Sequence, residues 1–151
     1  MLRPITLLFL ALGAVSAAAQ EAADTTAPTP PEIIFPGDSV DLSEFIWIKR
    51  PLVVFADSPA DPRYVQQMAF LTERLDDLAE RDVVVLTDTN ADEMTELRRK
   101  LRPRGFMLAL IGKDGSVYLR KPLPWDVREI TRVIDKMPMR QQEIRDRRGD
   151  S

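Results

Sequence analysis

Two segments of the chain are apolar almost throughout, and the stretch between them is apolar on one face only. LVVFA (Leu52–Ala56) and VVVLT (Val83–Thr87) have the uniform character of central strands buried on both sides. Between them, Asp61 is placed to cap a helix and Pro62 suits its first position. Tyr64, Met68, Leu71, Leu75 and Leu78 then follow at alternating spacings of four and three, which predicts one helix with one apolar stripe. Asp82 marks the turn into the second strand. Two strands joined by a helix form a right-handed crossover, so the pair is expected to be parallel.

Periodicity continues after the second strand. Asn90 with Glu93 has the form of a capping box, opening a helix that carries Ala91, Met94, Leu97 and Leu101 and stops at Pro103. FMLALI, GKDGS and VYLR predict a hairpin, with Asp114-Gly115 as its turn. A last amphipathic helix from about Asp126 carries Val127, Ile130, Val133, Ile134 and Met137, and Pro138 ends it. DLSEFIW, ahead of Pro51 and the first strand, reads as a short helical turn.

The amino end has a different pattern. Arg3 precedes ITLLFLALGAV, which is much shorter than the ~20 residues that span a bilayer, and Ala17-Ala18-Ala19 fits a cleavage site ahead of Gln20. Residues 1–19 are therefore read as a signal peptide, with no membrane span once it is removed. Residues 20–40, rich in Ala, Thr and Pro at their start, read as a disordered linker. The domain proper is expected over 41–138, and 139–151 as a polar tail with room for a short helix.

Composition narrows the chemistry. The chain has no cysteine and no histidine, which removes disulfides, thiol redox chemistry, the usual zinc ligand and the usual neutral-pH base. A net charge of −3 gives no general reason to expect nucleic acid as a partner.

The element order β-α-β-α-β-β-α is that of the thioredoxin fold, an α/β three-layer architecture around a central mixed four-stranded sheet. Set against thioredoxins, Ala60, Asp61, Pro62 and Arg63 stand where the redox motif sits, and only the proline matches. Met107 occupies the place of the characteristic proline before the third strand. A fuller resemblance is carried by LSEFIWIKRPLVVFADSPADPRY, ERDVVVLTD, LIGKDGSVYLR and IDKMPMRQQEIR. Together these blocks resemble the family called domain of unknown function 4174, a branch of a thioredoxin/peroxiredoxin-like superfamily without the redox cysteines. That resemblance implies the fold and a bacterial setting; with the signal peptide, the expectation is export to the periplasm or outside a Gram-negative cell. It transfers no catalytic residue.

Two segments carry candidate chemistry. At the carboxyl end of the first strand, Asp57, Ser58, Asp61 and Arg63 lie where free backbone N–H groups and the helix dipole favour an anion. The same loop has a plain structural reading, with Asp61 as cap and Asp57 and Ser58 as solvated turn residues. A carboxylate-based enzyme built on Asp57–Arg63 is the alternative of a different class. RRKLRPR supplies Arg98, Arg99, Lys100, Arg102 and Arg104, a patch for an anionic partner or simply cations suited to a helix C-terminus. DTNADE imitates the start of a calcium loop, but its sixth position is Glu93 instead of Gly and its twelfth is Arg99 instead of Glu. No metal and no cofactor are expected. The reading is an exported, non-catalytic binding or scaffold module, acting on an envelope protein or an anionic envelope polymer.

Overall fold

Alternation within the apolar strands builds two cores, one on each side of a single sheet. The structure, a computed structural model, describes residues 29–149. The strands are β1 (Ile34–Pro36), β2 (Arg50–Phe55), β3 (Val83–Asp88), β4 (Met107–Ile111) and β5 (Val117–Lys121). They lie in the order β1-β3-β2-β4-β5. β1, β3 and β2 run parallel, while β2–β4 and β4–β5 are antiparallel. Leu52, Val54, Val83, Val85, Leu108 and Leu110 point to one side, and Val53, Phe55, Val84, Leu86, Ala109 and Ile111 to the other.

The first face is covered by α1 (Pro62–Thr72), α2 (Leu75–Ala79) and α4 (Val127–Asp135), which bury Leu71, Leu78, Val127, Ile130 and Ile134 there. The second is covered by a 3₁₀ turn at Leu42–Phe45 and by α3 (Glu96–Leu101), through Leu42, Leu97 and Leu101. Helix, sheet and helix make the three layers of the expected α/β class. The buried Gln67 amide fixes the approach to α4: it donates to the Trp125 carbonyl at 2.9 Å and accepts from the Trp125 N–H at 2.8 Å.

Several boundaries differ from the sequence reading. The sheet has five strands, not four, because the segment read as linker supplies β1. Ile34, Phe35 and Pro36 pair with Val85, Leu86 and Thr87, and Gly37 donates to the Thr87 carbonyl at 2.8 Å. A Cβ on Gly37 would stand 2.5 Å from Leu97 Cδ1, so this segment is packed. The expected signal peptide and the rest of the linker, up to residue 28, lie outside the described residues.

The long stripe helix is two helices. Thr72 Oγ1 donates back to the Met68 and Ala69 carbonyls, a contact that bends helices, and the chain breaks at Arg74 before α2 begins. The apolar stripe survives the break, because both pieces rest on the same core. The capping box at Asn90 does not open α3. Asn90 instead accepts from the Asp92 N–H in a turn, and Thr95 caps α3 by accepting from the Arg98 N–H at 3.1 Å.

The polar tail is a helix that belongs to the domain, α5 (Pro138–Gly149). It supplies Glu143, which meets the fully buried Arg50 at the start of β2 with Nη2 at 2.8 Å from Oε1. Lys113 Nζ adds a contact of 2.8 Å to the same carboxylate and another of 2.8 Å to Asp82. Burial alone would raise the Glu143 carboxyl, but the hydrogen bonds and charges of Arg50 and Lys113 outweigh it and lower it to about 2. Pairing of this kind is what lets a cation stand at the start of a central strand.

Candidate functional site

The carboxyl ends of β2 and β3 open onto a cleft of about 690 Å³. Asp57 lines one wall, and Ala91, Met94, Arg98, Arg99, Arg102, Pro103 and Arg104 complete it. Two segments that the sequence presents separately, the loop after β2 and the basic end of α3, thus meet at one place. The parallel crossover explains this, since it brings the ends of β2 and β3 side by side and α3 returns across them.

The loop residues divide. Asp57 is exposed and reaches the cleft. Ser58 Oγ accepts from the Ala60 N–H at 3.1 Å and so shapes the turn. Asp61 caps α1, accepting from the Arg63 N–H at 2.9 Å, and also receives the Arg63 side chain through Nε at 3.1 Å and Nη2 at 2.8 Å. The side-chain bonds from Arg63, reinforced by its backbone N–H, hold the Asp61 carboxyl below its ordinary value. The guanidinium also lies 5.7 Å from the Phe106 ring centroid. Asp61 and Arg63 do not line the cleft and serve each other. Gly105 is left-handed (φ 63°), the region that favours glycine, and a Cβ there would stand in ordinary contact, 3.8 Å from Arg63 Nη2 and 3.9 Å from Asp57 Oδ2.

The basic run divides as well. Arg98 is buried and structural. Its Nε is 2.8 Å from Asp88 Oδ1, its Nη2 donates to the Ala56 carbonyl at 2.9 Å, and its head lies 5.5 Å from the Phe55 ring centroid. Thr95 Oγ1 donates to Asp88 Oδ2 at 2.7 Å and completes the network. Asp88 is the first residue of the segment that imitates a calcium loop, and its two carboxylate oxygens are taken by Thr95 and Arg98. The same Arg98 holds the backbone immediately before Asp57, and so positions the cleft wall. Sequence reasoning grouped Arg98 with its neighbours and missed this role, although an Asp at a strand end with an Arg ten residues on was there to be read.

Arg99 folds back onto its own helix, donating to the Met94 carbonyl from Nε at 3.2 Å and Nη2 at 3.0 Å. Lys100 is exposed and contributes a favourable charge toward Asp41. Arg102 and Arg104 are exposed, and their side chains have no hydrogen-bond or ionic partner among the described residues. The carbonyl of Leu101 at the end of α3, which such cations are expected to satisfy, takes its hydrogen bond from Arg120 on β5 instead. Arg102 itself is left-handed, with φ 50° and ψ 57°, a conformation unusual for a residue other than glycine. The cleft is therefore a cationic concavity with two uncommitted guanidinium groups and one carboxylate, suited to holding an oxyanion.

Comparison with known proteins places this geometry. A family model described as "Domain of unknown function (DUF4174)" matches residues 41–143. Coiled-coil domain-containing protein 80 of Danio rerio is 29% identical over an alignment of 133 residues, which covers 68% of this chain. The chain spans 15% of that protein's length. Among solved structures, thioredoxin peroxidase I of Plasmodium yoelii is 22% identical with a TM-score of 0.51, covering 68% of this chain and 80% of that one. The reduced 2-Cys peroxiredoxin of Plasmodium vivax is 19% identical with a TM-score of 0.54, covering 68% and 85%. These likenesses carry the thioredoxin-like fold and nothing further. The chain itself has no cysteine with which to perform the chemistry those names describe.

Proposed function

The chain belongs to the DUF4174 family, and on that premise we propose that it is an exported, non-catalytic binding module of the cell envelope that takes an anionic ligand in the cleft beside Asp57. The observation that carries this reading is the state of Arg102 and Arg104. Both line a concave surface, neither has a partner among the described residues, and the helix end they follow is satisfied by Arg120. Guanidinium groups left unpaired in a concavity are placed for phosphate, sulfate or carboxylate. Arg98 supports the wall from below, and Met94 gives it an exposed apolar edge. Export is supported by the order of charge, apolar run and small residues ahead of Gln20.

A carboxylate enzyme at Asp57–Arg63 gains no support from the geometry. It needs a second polar group convergent with Asp57, and Asp61 instead faces its own helix start and Arg63. The module reading is tested by thermal melts of the exported protein in phosphate and in chloride at matched ionic strength. Phosphate should raise the melting temperature of the natural chain and leave Arg102→Ala/Arg104→Ala unmoved. An equal rise in both overturns the cleft as the site. Intact mass of the exported protein tests the rest: it should begin at Gln20 or Ala18, and retention of Met1 through Ala17 overturns export.

A further inference from the structure

A second cleft, of about 270 Å³, adjoins the first and is lined by Arg102, Arg104, Phe106, Met107, Arg120, Lys121 and Pro122. Arg102 and Arg104 belong to both. We infer that the two clefts form one track for a linear polyanion with tetrahedral oxyanion groups repeated along a chain, running from the Asp57 side across Arg102 and Arg104 to Arg120 and Lys121. This rests on the anion-binding reading above and names its ligand class.

Three features carry the inference. The backbone between the clefts is bent at Arg102 (φ 50°) and Gly105 (φ 63°), with Pro103 between, so the shared wall is a turn that presents two guanidinium groups. The far cations are held in place without being neutralised. Arg120 is anchored by the uncharged Leu101 carbonyl, and Lys121 Nζ lies 4.5 Å from the Trp125 ring centroid. Among the described residues Asp57 is the one carboxylate lining either cleft, so the cations keep their net field although the chain as a whole is at −3. A single small oxyanion relieves the repulsion at one point of such a track, whereas a chain of them places a charge at each. A single-stranded nucleic acid fits less well. The one aromatic residue on either wall, Phe106, is buried and offers no face for base stacking.

The experiment measures affinity of the exported protein for orthophosphate, tripolyphosphate and long-chain polyphosphate. A parallel arm uses inorganic sulfate and dextran sulfate, all at matched ionic strength and per anionic group. Affinity should rise about tenfold or more from monomer to polymer in at least one arm, and that arm identifies the oxyanion. Arg120→Gln/Lys121→Gln removes both charges while leaving uncharged polar side chains, and should lose this polymer gain while still taking up the monomer. Arg102→Ala/Arg104→Ala should lose both. Monomer binding with no polymer gain in either arm overturns the track and leaves the single-cleft reading standing. Absence of binding to every probe overturns both. A polymer gain that survives Arg120→Gln/Lys121→Gln also overturns the track, because the second cleft is then not used.

Discussion

Arg63 closes on the carboxylate of Asp61 two residues before it, through Nε at 3.1 Å from Oδ1 and Nη2 at 2.8 Å from Oδ2. A cation in the first turn of a helix opposes the helix dipole, and this pairing is its compensation. Dipole logic alone expects removal of Arg63 to be neutral or mildly stabilising. With the ion pair and the Phe106 contact both lost, Arg63→Ala should instead lower the urea midpoint slightly. Asp61→Ala should lower it more, since it removes the cap and the pair together. Phosphate binding should be unchanged in Arg63→Ala. Loss of phosphate binding without loss of stability would place Arg63 in the site after all.

The segment around β1 gives a second prediction. Gly37 sits against Leu97 and the Thr87 carbonyl, with no room for a methyl group. Gly37→Ala should cost about 1–3 kcal/mol by overpacking, in a stretch whose composition reads as linker. Leu71→Ala, at the centre of the helix stripe and fully buried, should cost about 2–5 kcal/mol. Urea melts of both variants measure this. A Gly37→Ala variant as stable as the natural chain would mean that β1 is not held against the sheet in solution.

Glu143 makes stability depend on acid. Its carboxyl is lowered to about 2 in the folded chain from an ordinary value of 4.5. As the pH falls, the unfolded chain therefore takes up the proton first. The contribution is present above pH 4.5 and is lost as the pH falls toward 2. Glu143→Gln should be less stable at pH 7 and should show a shallower loss between pH 4.5 and 2. Parallel curves for the two proteins across that range would mean that the carboxylate is not paired with Arg50.

The parts of the fold written in apolar periodicity were legible in the sequence. Strands β2, β3 and β4, the crossover and the amphipathic helix α4 each bury apolar side chains, and each is found where the apolar pattern put it, as is β5, which the turn at Asp114-Gly115 located. The parts held by polar contacts were not. β1 is three residues long, too short to show alternation, and α5 has no apolar stripe because its attachment runs through Glu143 and Arg140. Asn90 and Thr95 both have side chains able to cap a helix. Thr95 also reaches Asp88, a contact that spacing along the chain does not reveal. The cleft was half visible. Its residues could be named, but their division into structural Arg98 and unpaired Arg102 depends on which partners the fold brings within reach. Arg120 and Lys121 were missed because one β-strand residue in two is expected to be polar anyway.

The pairing of Arg50 with Glu143 also ties the start of β2 to the last helix. The partners are 93 positions apart, and Arg50 stands at the head of the strand between β3 and β4. A chain made from its amino end has that cation long before it has the carboxylate. Without Glu143, Arg50 keeps its bond to the Arg81 carbonyl but loses its counter-charge, and burial of that cation becomes unfavourable. The central strand and the last helix therefore stabilise each other. A chain without α5 has no carboxylate from Glu143 to set against Arg50.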